Sequence, residues 1–106
     1  MAWILLVVAG LFEVVWAFSM KQSAGFTRVG PTVVTFVAMA ISFALLAWSM
    51  RTLPLGTAYT IWTGIGAVGA FAVGVAALGE PASPARLIAA AMIVGGLLLM
   101  KLSSSP

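Results

Sequence analysis

Charge is almost absent from this sequence, and the few charges present divide it. Across 106 residues there are five basic and two acidic side chains, whereas charged residues make up about a quarter of an ordinary soluble domain. With 63% of residues hydrophobic, too little polar surface remains to solvate a globule, so lipid is the expected solvent. Lys21, Arg28, Arg51, Arg86 and Lys101 stand singly, as residues bracketing membrane spans do. They lack the clustering needed to track the phosphates of a nucleic acid. Cysteine and histidine are missing, which excludes disulfides and Cys or His zinc ligands and nucleophiles. No metal, cofactor or enzymatic activity is expected.

Four apolar stretches lie between the charges, and they predict an all-α membrane protein. The expected helices cover about 2–20, 31–50, 56–78 and 84–101, forming one transmembrane domain over 1–106. Each has about the 20 residues at 1.5 Å rise that a crossing requires. The first stretch carries Glu13 and Trp16 where a signal peptide has its apolar region, so it reads as a retained helix. Pro31 suits the first turn of the second helix, and Ser83-Pro84 reads as an N-cap followed by proline at the first helical position. Ser103 to Pro106 read as a frayed end.

Four short helices enclose little, so an oligomer is expected. In the fourth helix Ala91, Gly95 and Gly96 form a small-residue seam where two backbones can approach in lipid; packing within the chain is the ordinary alternative. If both termini share a side with the Arg51 loop, that side carries Arg51 and Lys101, facing Lys21, Arg28 and Arg86 on the other. So slight a bias fixes no orientation by the positive-inside rule. A chain inserted both ways can form an antiparallel, dual-topology homodimer; a weakly biased single orientation is the alternative.

Glu13 is the only acid inside any apolar stretch. Ionisable groups at that depth are costly and mark ion or proton paths. Burial disfavours the charged form of a carboxyl, so an acid there can hold either a proton or a cation, as exchange requires. A permanently neutral hydrogen-bond donor is the other reading. Trp16 and Gly10 share a helix face with Glu13. Ser42 lies mid-span in the second stretch, able to orient a carboxylate or to bond its own i−4 carbonyl. Tyr59, Trp62, Gly66 and Gly69 recur at i, i+3, i+7 and i+10 along one stripe. The two aromatics offer cation–π faces or belong to an interfacial belt, which Trp3 and Trp48 fit better. Gly64 and Gly66 form a bending point or a close-packed contact. Met39 and Phe43 form an apolar side portal or touch lipid.

These residues resemble the small multidrug resistance family from Trp3 to about Ser103. The motifs are Glu13-Val14, Gly25-Phe26-Thr27-Arg28, and the run from Leu53-Pro54-Leu55-Gly56 through Tyr59-Thr60-Ile61-Trp62-Thr63-Gly64-Ile65-Gly66. The resemblance implies an antiparallel homodimer in a bacterial inner or plasma membrane, whose shared glutamate binds substrate and protons competitively. Trp16 one turn after the acid, Glu80-Pro81 with Arg86, and Lys101 are similar to the guanidinium-exporting branch. Glu13 is then the proton and cation acceptor, with Trp16 and Ser42 as its hydrogen-bonding partners. Tyr59 and Trp62 line the site, Tyr59 acting as the switch between protomers. Guanidinium, planar and forked in its donors, suits a carboxylate. The alternatives are exchange of quaternary ammonium or other drug cations for protons, and a non-transporting accessory subunit or half of a hetero-pair. Gly79, where the family commonly has a bulkier residue, and an alanine-rich fourth helix depart from the pattern.

Overall fold

The computed structural model describes residues 1–104, so of the expected frayed end Ser105 and Pro106 lie outside the described residues. Four helices follow in chain order: α1 (Ala2–Gln22), α2 (Val29–Ser49), α3 (Leu55–Leu78) and α4 (Pro84–Ser103). All four are long and apolar enough to cross a membrane. Their ends fall within about two residues of where charge, proline and glycine place them, as boundaries defined by fraying turns do.

Local chemistry accounts for the ends. The Ser83 hydroxyl accepts the Arg86 N–H at 3.3 Å, with Pro84 opening α4, so the cap satisfies a donor that the helix cannot. Gly79 closes α3 at φ 69°, ψ 23°, a left-handed conformation that a side chain disfavours. A bulkier residue at this position would be strained here. Between α1 and α2 the turn is tighter: Ala24, Gly25 and Phe26 all have positive φ. It is held by Ser23, whose hydroxyl donates to the Met20 carbonyl at 2.6 Å and accepts the Phe26 N–H at 3.0 Å. Phe26 stacks on Phe36 with ring centroids 5.5 Å apart.

Helix α1 is central, packed by α2 and α3, while α4 packs mainly along α3. The result is an open slab with Cα extents of 44 × 34 × 16 Å. The small core of Leu6, Ala9, Leu46, Ala58, Ile61 and Trp62 sits where the first three helices meet. Helix α4 buries no residue. Large apolar side chains such as Ile4, Phe36, Met92 and Leu99 are exposed, an arrangement that water would penalise and lipid does not.

The two ends of the slab are distinct. At one, the start of α1 meets the α2–α3 loop and Ser104 around a shared cavity, and Lys101 lies over the Trp3 ring at 5.4 Å. At the other, Lys21, Glu80 and Arg86 border one pocket.

Candidate functional site

Glu13 sits in the middle of α1, half-buried against α3. What brings the helices together there is glycine. A Cβ built at Gly66 would fall on the Glu13 carboxyl, and one at Gly69 would fall on Val14. One at Gly10 would meet Ile65. Small residues on both helices therefore let α1 and α3 approach, and Gly66 makes the seat for the carboxyl.

Below that seat runs a buried polar chain across three helices. The Trp62 indole N–H of α3 donates to the Ser42 hydroxyl of α2 at 3.0 Å. Ser42 in turn donates to the Ala9 carbonyl of α1 at 2.7 Å. Ser42 and Ala9 are fully buried, and buried hydroxyl and indole groups need such partners. Ser42 thus bonds neither its own i−4 carbonyl nor the Glu13 carboxyl. The ladder of an α-helix pairs the N–H of residue 13 with the carbonyl of residue 9, so Ser42 grips α1 one turn from the acid.

Aromatic rings wall the same region. Phe43 meets Trp16 edge-on, centroids 6.4 Å apart at 74°, and Trp62 at 5.7 Å and 61°. Tyr59 extends the wall, 5.6 Å from Trp62, with its side chain largely exposed. Two polar atoms stand without partners among the described residues: Glu13 Oε1 and Trp16 Nε1, both buried. An unpaired acceptor and an unpaired donor sit one helical turn apart. Burying each costs on the order of 1–3 kcal/mol, a cost that a ligand or a rotamer change would relieve. The bonds from Trp16 and Ser42 to Glu13 that the family resemblance implies are not formed in this conformation.

Glu13, Trp16, Ser42, Tyr59, Trp62 and Gly66 therefore converge, with Gly10 behind them. Phe43, read from sequence as a portal, lies between the two tryptophans. Met39 is half-buried one turn earlier on α2. Gly64 faces away from the acid, and its missing Cβ makes room for Leu97 of α4. Helix α3 runs unbroken through Gly64 and Gly66, so both act here as close contacts. Ala91 and Gly95 lie exposed on α4, away from this group. Gly96 borders a cavity of about 510 Å³ between α3 and α4, with Tyr59, Thr63 and Leu97. Sequence reasoning missed the Ala9 carbonyl, which has no side-chain signature, and the bridging place of Phe43, signalled only by its adjacency to Ser42.

Four apolar crossings around one half-buried carboxyl make this a multi-pass membrane protein. A family profile described as Small Multidrug Resistance protein matches residues 1–93. The chain is 57% identical over 104 residues to the guanidinium exporter of Citrobacter freundii, spanning 98% of this chain and 99% of that protein. It is 58% identical over 104 residues, with the same coverage, to the guanidinium exporter of Salmonella typhimurium strain LT2. Identity to the guanidinium exporter of Escherichia coli K12 is 57% over 104 residues, again with the same coverage. The chain belongs to the small multidrug resistance family, a transport protein crossing the inner membrane four times.

Proposed function

We propose that this protein exports guanidinium in exchange for protons, working as an antiparallel homodimer that alternates between two equivalent states. The observation that carries this reading is the Glu13 carboxyl seated on Gly66, with one oxygen unpartnered, and Trp16 one helical turn along α1 with its indole N–H also unpartnered. Guanidinium offers planar, forked donors to such an oxygen, and Phe43, Trp62 and Tyr59 supply ring faces for a delocalised cation. The names of the relatives point to the same substrate.

Exchange follows from competition. The carboxyl accepts a proton or a cation, so each species is released as the other binds, and the loaded site crosses in either form. Trp16 is suited to hold the carboxylate when the proton has left, and Ser42 with Trp62 fixes the helix that carries it. The open slab supplies one wall of a chamber, and a second copy in the opposite orientation supplies the other. Nearly balanced charge at the two ends supports insertion both ways and argues against a hetero-pair, whose members need opposite strong biases. Of the seam residues, Ala91 and Gly95 are exposed on α4 for that contact, while Gly96 borders the cavity between α3 and α4.

Purified protein in liposomes with an imposed pH gradient tests the reading. Guanidinium should move against the proton flux, and tetraalkylammonium ions far more slowly, because Trp16 fills the space they need. Guanidinium flux without proton movement would overturn the antiport. Faster transport of tetraalkylammonium would favour the drug-cation alternative.

A further inference from the structure

Lys21 ends α1, Glu80 follows α3, and Arg86 lies in the first turn of α4, so three charges from separate elements meet at one membrane face. They border a pocket of about 330 Å³ whose other walls include Phe18 and Phe71. None of these residues takes part in the Glu13 group.

Two of the three charges are held in place. The Arg86 guanidinium lies over the Phe71 ring, 5.3 Å from its centroid. The Glu80 backbone N–H donates to the Gly74 carbonyl at 3.1 Å, and its carboxylate folds onto Gly74, occupying the space where a Cβ would stand. An adjoining slot of about 240 Å³ shares Phe71 and Arg86 and continues along Ala89, Ala90 and Ile93 without another charge. The small side chains of Ala89 and Ala90 leave that slot open.

A polar pocket at the membrane face, leading into an apolar slot at hydrocarbon depth, has the shape of a phospholipid. Charge selects the head. Lys21 and Arg86 complement one phosphate diester. A simple anionic head would leave Glu80 facing like charge, and a choline head has no N–H with which to meet it. A head with both a phosphate and a primary ammonium satisfies all three side chains. We infer that this pocket binds phosphatidylethanolamine, with the phosphate on Lys21 and Arg86, the ammonium on Glu80 and an acyl chain along Ala89 and Ala90. The inference stands apart from the transported substrate.

Native mass spectrometry of the full-length protein in mixed micelles tests it, using equimolar phosphatidylethanolamine, phosphatidylglycerol and phosphatidylcholine of matched chains. Phosphatidylethanolamine should be retained about fivefold over phosphatidylcholine, the upper scale of one solvent-exposed ion pair. Glu80→Gln should remove that preference, and Gly74→Ala, which displaces the carboxylate, should weaken it. Lys21→Gln with Arg86→Gln should lower retention of all three lipids. Guanidinium binding by Glu80→Gln at the unmodified protein's strength would show that the fold and transport site survive. Equal retention of the three lipids, preference for phosphatidylglycerol, or an unchanged preference in Glu80→Gln would overturn the inference.

Discussion

Replacing Gly66 by alanine puts a methyl group where the Glu13 carboxyl lies. The acid survives but its seat does not. Gly66→Ala should therefore weaken guanidinium binding at least about tenfold, which is about 1.4 kcal/mol, while Glu13→Gln should abolish it. Substrate-induced tryptophan fluorescence reads both. The sign of the pH effect follows from competition: protons occupy the carboxyl as pH falls, so cation affinity decreases towards acid and recovers towards alkali. In a dimer, two carboxyls facing one chamber titrate together, and only macroscopic values describe them. Binding independent of pH would refute shared use of the group. The place of Glu13 within α1 was legible in the sequence, where a lone acid in an apolar stretch is a costly group that marks a candidate ion or proton path. Its seat was only half legible. The stripe Tyr59, Trp62, Gly66 and Gly69 gives a helix face, but it does not say which glycine meets the acid.

Between elements, the Trp62–Ser42–Ala9 chain and the glycine contacts set the geometry of α1, α2 and α3. Ser42→Ala leaves the Trp62 indole unpaired and should cost about 1 kcal/mol, the usual scale for interhelical hydrogen bonds in membranes, seen as earlier unfolding in detergent titrations. Gly64→Val should push Leu97 aside and cost about 1–3 kcal/mol by overpacking. Because α4 is held mainly through α3, that loss should appear as loosening of α4 with the Glu13 group intact, detectable by hydrogen exchange. Helix ends were largely legible, since Ser83-Pro84, Pro31 and the flanking charges act locally through backbone chemistry. The bond of Ser42 was not. Its acceptor is a main-chain carbonyl on another helix, and any residue at position 9 would supply one. Gly64 and Gly66 were legible as positions where a helix bends or meets another closely, but their neighbours, Leu97 and the Glu13 carboxyl, were not.

For the whole molecule, the structure groups the Thr52 loop with Ser104 at one end and Lys21 with Arg86 at the other. The ends differ by so little charge that C-terminal tags should report from both sides of the membrane in comparable amounts. A tag found wholly on one side would refute dual orientation. Lysines added to the Thr52 loop should fix one orientation and reduce transport until an oppositely fixed copy is supplied. The contact pattern also has a consequence for synthesis. Helix α1 emerges first and is the one against which α2 and α3 pack, and α4 emerges last with α3 already in place. Every hydrogen bond and ring contact around Glu13 lies among the first three helices. A nascent chain paused after Gly79 has therefore already made every segment that packs around Glu13, and the ribosome still holds the one helix that buries none of its residues.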